Sequence, residues 1–201
     1  DHHATDGAIV VGIWNTELRR REYMPQRPLE QPEAHAIRSE FAANLGGEPL
    51  SDDYLSFIVT ELKPIIDATY RTMPDREQTF IMGSSMGGLI SLYALCQYPH
   101  VFGGAACLST HWVIGKELLV DEMAAMLPPV GNHRLYFDYG TATLDAEYEP
   151  YQQRMDKLVA AEGYVEGRDV LTLKFENADH SERAWRERVD IPLRWLLAGK
   201  A

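Results

Sequence analysis

The sequence predicts an α/β fold, with a mostly parallel central sheet flanked by helices. Three observations predict it. Short apolar runs rich in β-branched and aromatic residues alternate with longer segments whose apolar residues recur at helical spacing. Strands separated by helices in this way run parallel and are covered on both faces. The length of 201 residues suits one domain with a proper core and is too short for two ordinary ones. Finally, one strand-like run ends in a glycine-flanked serine turn that opens straight into an apolar helix.

In chain order, Gly7 to Trp14 (GAIVVGIW) reads as a buried strand. Residues 15–50 are polar and rich in Pro, Arg and Glu, and read as a surface excursion with one short helix. Asp52-Asp53-Tyr54 opens a helix along which Leu55, Ile58, Val59, Leu62, Ile65 and Ile66 fall at helical spacing. After a turn at 73–75, Thr79 to Met82 is the second strand. It runs into GSSMGG and the helix Leu89 to Tyr98, which Pro99 closes. Gly103 to Leu108 and His133 to Tyr139 are the third and fourth strands. A helix spans Ala146 to Glu162, Val170 to Phe175 is the fifth strand, and Glu182 to Leu197 is a final amphipathic helix. No internal repeat or low-complexity tract interrupts this order.

Composition narrows the function. Hydrophobic residues at 45% and charged residues at 24% give the balance of a soluble globular protein. A net charge of −11 disfavours nucleic acid and anionic membrane surfaces as partners, because both would repel the chain. No apolar stretch approaches the ~20 residues a membrane span needs. Cys96 and Cys107 lie in apolar runs and read as free, buried thiols. No His-x-x-x-His or carboxylate cluster has metal-ligand spacing, so neither metal nor cofactor is expected. The chain starts Asp-His-His-Ala-Thr-Asp-Gly, neither a leader nor an initiator methionine. That start reads as processed or incomplete, and localisation stays open with the cytoplasm favoured.

The chemistry is carried by Gly83-Ser84-Ser85-Met86-Gly87, which fits G-x-S-x-G with Ser85 at its centre. The spacing serves a sharp strand-to-helix turn that holds the serine hydroxyl clear of the sheet. Glycines two before and two after are read as close approaches that leave no room for a side chain. The helix N-terminus favours a developing oxyanion, and the Met86 backbone N–H is one candidate donor. The apolar strand before the motif and the apolar helix after it are the context this motif requires, and together they point to an α/β-hydrolase fold.

A serine hydroxyl needs a base, and in this fold the partners follow in the order Ser, acid, His. His180 lies between the fifth strand and the last helix, where the base belongs. His2, His3, His35, His100 and His133 are poorly placed for it. The acid should follow the fourth strand. Asp145 ends the loop GTATLD and also suits a helix N-cap. Asp138 lies within the strand, pointing toward a helix-covered face, and Glu147 and Glu149 are further candidates.

GSSMGG, YGTATLD, ADHSERAW and the opening VVGIWNTELRRREYMP resemble the putative-esterase family of α/β hydrolases. That family includes enterochelin-esterase-like proteins, S-formylglutathione hydrolase, feruloyl and acetylxylan esterases, and mycolyltransferases. The resemblance covers nearly the whole chain. It implies Ser85 as nucleophile, His180 as base and Asp145 as acid, acting on a small-molecule ester or thioester. Members of that family usually carry an earlier strand ending in His-Gly or His-Asp-Gly, which supplies a second oxyanion donor. No such segment precedes Ala8, so the first strands of the fold either lie upstream of this sequence or are lacking.

Trp14 and Asn15, at the end of the first strand, and the segment Ser109 to Trp112 after the third, with His111 and Trp112 in it, are candidate pocket residues, with core packing the alternative for both tryptophans. Arg19 to Arg21 with Glu22 suit either an anionic substrate or a surface ion-pair cluster. Two other functions use the same residues differently. An acyltransferase would pass the acyl group to an alcohol other than water. A non-catalytic member of the fold would only bind. The residues specify neither the ester nor the oligomeric state.

Overall fold

The computed structural model describes residues 7–198. Four parallel strands form its sheet: β1 (Phe80–Ser84), β2 (Gly104–Leu108), β3 (Arg134–Gly140) and β4 (Val170–Phe175), in spatial order β1-β2-β3-β4. Spatial order follows chain order, so crossovers of one hand all land on one face. The helices between the strands are α5 (Met86–Gln97), α6 (Lys116–Ala125) and α7 (Glu149–Ala161). Leu92, Leu119 and Met155 from these helices share one apolar cluster with Ala105 and Cys107 of β2 and Leu135 and Phe137 of β3. The alternate residues, Ala106, Leu108 and Tyr136, face the other way and meet Leu196, Trp195 and Ile191 from the last helix. Both cysteines are free, and burial pushes the Cys96 thiol up to about 12.

The polar excursion folds into short helices, α1 (Arg19–Glu22) and α2 (His35–Leu45), and inserts Met24, Leu29 and Phe41 into the main core. The next helix is continuous but not uniform. α3 (Ser51–Phe57) passes through a π-turn at Ile58–Leu62 into α4 (Lys63–Thr69). Pro64 accounts for the widened turn, because it has no N–H for the Thr60 carbonyl and its ring crowds that carbonyl. Leu55 and Ile58 are buried, whereas Ile65 is 61% exposed, so the expected apolar face is used only in its first half. α6 follows Gly115 with no side-chain cap, so the sequence carries no clear start signal for it. α7 begins at Glu149 rather than Ala146, after a 3-10 turn at Thr143–Glu147 and with Pro150 in its first turn. The last helix divides into α8 (Glu182–Arg186) and α9 (Asp190–Leu197), with Pro192 near the start of the second.

One expected strand is absent. Gly7 to Trp14 is irregular backbone, with Val10 78% and Trp14 94% exposed. A β-branched run becomes a strand only when a neighbour takes up its backbone N–H and C=O groups. Among the described residues none lies beside this run, and the ladder of β1 is with β2 alone. No helix among the described residues is long and apolar enough to cross a membrane.

Candidate active site

Ser85 sits between β1 and α5 with φ 59° and ψ −122°, a conformation that a non-glycine residue rarely adopts. Its N–H donates to Leu108 O at 2.9 Å, and its carbonyl accepts from Gly88 N at 3.0 Å and His111 N at 3.2 Å. The turn is therefore pinned on one side of the serine to the end of β2 and on the other to the loop that follows it. A Cβ on Gly83 would lie 2.6 Å from the Gly87 carbonyl oxygen, which explains the first glycine of the motif. A Cβ on Gly87 would meet nothing within 4 Å, so the second glycine is not required by crowding, contrary to expectation. Met86 is the first residue of α5, and its N–H has no carbonyl one turn back within the helix to receive it.

His180 and Asp145 complete the cluster. His180 Nε2 lies 2.9 Å from Ser85 Oγ, and its Nδ1 lies 2.5 Å from Asp145 Oδ1. Hydrogen bonds bring the His180 loop to the segment that follows β3. The His180 N–H donates to Thr143 Oγ1 at 2.9 Å, and Ala178 O accepts from Thr141 N and Ala142 N at 3.1 and 3.0 Å. Gly140 makes that approach possible, since a Cβ there would lie 2.1 Å from Ala178 O. The imidazole ring is held edge-to-face by Trp185 and Tyr148, with centroids 4.9 and 5.6 Å away.

Asp145 is wholly buried in a 3-10 turn and does not cap α7. Its Oδ2 accepts from Gly140 N and Ser109 Oγ, both at 2.6 Å. Burial alone would raise this carboxyl, but the bonds from His180, Ser109 and Gly140 outweigh it and hold the group below its ordinary range. Asp138 is elsewhere engaged. It is fully buried and takes Arg188 in a two-point pair at 2.9 and 3.1 Å, with the Tyr136 hydroxyl donating at 2.9 Å. Glu149 faces Lys174 at 3.1 Å, outside the cluster.

The pocket candidates divide. His111 is at the site: its backbone N–H reaches the Ser85 carbonyl, its ring lies 6.4 Å from that of His180, and its Nδ1 is 2.7 Å from the Tyr148 hydroxyl. Tyr148 is wholly buried, and burial raises its pKa, so its hydroxyl stays protonated. That proton has its acceptor in His111 Nδ1, which leaves the imidazole N–H on Nε2. Burial, then the charges of His180, Arg20 and Arg19, push His111 down to about 4. Trp112 is core, fully buried with its indole N–H on Gln152 at 3.1 Å. Trp14 lines a groove of about 740 Å³ with Ile13, Leu50, Tyr54, Phe57 and Leu62. None of the Ser85 cluster lines that groove, and Asn15 is simply exposed beside Trp14. Arg19 stacks on Tyr23 at 5.6 Å and Arg21 donates to Glu48 O at 2.8 Å, so these arginines form no common cluster with Glu22.

Sequence reasoning missed Tyr148, Trp185 and Arg188, and it set Ser109 at the border of the pocket, whereas its hydroxyl stands behind Asp145. Arg188 carried a signal: it sits four residues from both Ala184 and Pro192, on the buried stripe of the last helical segment, where a charge demands a partner. Ser109 carried only its place directly after β2, where its N–H donates to the Asp138 carbonyl of β3 at 2.8 Å.

A family model described as Putative esterase matches residues 8–195. The Bacillus subtilis (strain 168) protein YbbA is 25% identical over 196 residues, covering 94% of this chain and 72% of the relative. Among solved structures, the enterobactin and salmochelin hydrolase IroE, in its complex with DFP, aligns at a TM-score of 0.61 and 14% identity, over 90% of this chain and 65% of its own. A ferulic acid esterase aligns at 0.57 and 16%, over 72% and 60%. The enterobactin esterase FES of Shigella flexneri aligns at 0.55 and 20%, over 73% and 38%. The structural matches are likenesses of fold, and this chain spans about 60% or less of the last two.

Proposed function

The chain belongs to the Putative esterase family, and we propose that it is a serine carboxylic-ester hydrolase acting through Ser85, His180 and Asp145. The observation that carries this reading is the unbroken relay from Ser85 Oγ to His180 Nε2 at 2.9 Å and from His180 Nδ1 to Asp145 Oδ1 at 2.5 Å. The substrate class is a small-molecule ester, the class shared by neighbours named as ferulic acid and enterobactin esterases.

The steps follow from the geometry. His180 Nε2 takes the hydroxyl proton as Ser85 Oγ attacks the ester carbonyl, and Asp145 holds the ring tautomer and stabilises the imidazolium. The Met86 N–H, at the positive end of α5, faces the oxyanion of the tetrahedral intermediate. Collapse breaks the C–O bond, the imidazolium returns its proton to the leaving alcohol, and the acyl group stays on Ser85. Water, deprotonated by His180, then attacks the acyl-enzyme and releases the acid and the free serine. An intact relay favours catalysis over a purely binding role.

The test is hydrolysis of a short-chain p-nitrophenyl ester by the parent and by Ser85→Ala, with intact mass after a fluorophosphonate probe. The expected result is turnover and a single adduct at Ser85 in the parent, with turnover falling by about 10⁴-fold or more in the variant. A folded parent with neither turnover nor adduct overturns the proposal.

A further inference from the structure

Behind Asp145 lies a hydrogen-bonded chain that the relay itself does not use. Ser109 Oγ sits among three partners: Asp145 Oδ2 at 2.6 Å, Trp185 Nε1 at 2.9 Å and Arg188 Nη2 at 3.0 Å. The indole and the guanidinium can only donate. They occupy both lone pairs of the hydroxyl, so its one proton has a single destination, the Asp145 carboxylate. The backbone at Ser109 is in the left-handed region at φ 43°, which fixes where that hydroxyl starts.

Arg188 is itself held. It is 4% exposed, lies over the Phe175 ring at 4.7 Å, and its charge is matched by Asp138 in the two-point pair. The Arg188 charge is thereby balanced by Asp138, and the Asp145 charge is left for the imidazolium that forms on His180. Trp185 adds a second tie, because the ring that packs edge-on to His180 is the one whose N–H fixes Ser109.

We infer that Ser109 is a positioning residue, a hydroxyl locked as a one-way donor by Trp185 and the Arg188–Asp138 pair, which fixes Asp145 with Oδ1 turned to His180. This rests on the serine-hydrolase reading for its catalytic consequence, but not for its effect on the His180–Asp145 pair. A donor on Oδ2 draws charge away from Oδ1. Removing it therefore makes the carboxylate a stronger partner for the imidazolium and raises the pH at which His180 loses its proton. It also frees the carboxylate to turn, which slows the chemical step.

The test compares the parent with Ser109→Ala and with Trp185→Phe, which keeps an aromatic ring beside His180 and removes the indole N–H. Two readouts are used: the pH midpoint of the downfield His180 Nδ1–H resonance by NMR, and kcat and KM for the p-nitrophenyl ester across pH. Groups bearing on His180 are Asp145, Ser85, His111 and Tyr148, with Arg188 and Asp138 behind Ser109 and Arg19 and Arg20 beyond His111. All of them are retained in both variants.

Expected for Ser109→Ala is a higher midpoint, an acid limb of kcat/KM moved to higher pH, and kcat lower by about tenfold to a hundredfold with KM unchanged. Trp185→Phe should move the same quantities in the same direction by a smaller step, about twofold to tenfold in kcat. An unchanged midpoint in both variants overturns the inference, whether or not the parent hydrolyses esters. Raised midpoints in a parent that forms no phosphonate adduct support the positioning role and overturn the hydrolase reading instead. Should Ser109→Ala not fold, Trp185→Phe alone decides.

Discussion

Two glycine-containing stretches of this chain look alike on paper and behave in opposite ways. GAIVVGIW at 7–14 and FIMGSSMGG at 80–88 each join a short apolar run to small residues. The second is a strand that ends in a strained serine, pinned to the end of β2 and to the loop after it. The first is irregular and open to solvent. The difference lies in what stands beside each run. A strand is a property of a pair, and the backbone groups of 80–84 have partners on β2 where those of 7–14 have none among the described residues.

The sharpest way to break this comparison is chemical. Asp145→Asn should lower kcat by about ten-thousandfold while leaving the fold intact, because it keeps the shape but disturbs the tautomer of His180. Steady-state kinetics beside a urea unfolding curve measures both halves. No residue in 7–17 should approach that effect.

The two tryptophans sharpen the contrast in stability. Trp112, fully buried and bonded to Gln152, should cost about 3–5 kcal/mol when changed to Ala. Trp14→Ala, at 94% exposure, should stay within about 0.5 kcal/mol of the parent in the same denaturation experiment.

A third effect depends on pH. His111 is pushed down to about 4 from its ordinary 6.5, by burial first and then by the charges of His180, Arg20 and Arg19. The unfolded chain therefore takes up a proton that the folded chain refuses. Stability should fall as pH drops from about 6.5 to about 4, by a term on the order of 3 kcal/mol, and rise again with pH. Urea midpoints measured between pH 7 and 4.5 should show a shallower slope for His111→Gln, which keeps an acceptor for the Tyr148 hydroxyl but cannot titrate.

The last contrast is between two glycines. Gly140→Ala would place a methyl 2.1 Å from Ala178 O, and should cost about 1–3 kcal/mol and slow turnover by displacing the His180 loop. Gly12→Ala meets nothing within 4 Å, and a thermal melt should register almost no change.

These contrasts mark what could be read in advance. The strands from Thr79 onward were legible because each apolar run is bounded by turn residues and followed by a helix, and Ser85 and His180 were legible because motif and chain order constrain them. Asp145 was harder, since a loop aspartate caps a helix as readily as it meets a histidine, and only the structure shows that His180 reaches Asp145 while Arg188 takes Asp138. The run at 7–14 misled because apolar patterning reports the wish to be buried but not the presence of a partner. The Arg188–Ser109 chain was out of reach because its members lie 79 residues apart and meet only through the packing of the last helical segment on β2 and β3.

The order of the sheet also sets when the proposed active site can assemble during synthesis. Each strand docks beside the one made just before it, so the sheet can grow in step with synthesis from Phe80 onward. His180, however, leaves the ribosome 95 residues after Ser85, behind every strand of that sheet. A nascent chain therefore presents Ser85 early and His180 last, and a chain cut short before β4 carries the serine without the histidine that reaches its hydroxyl.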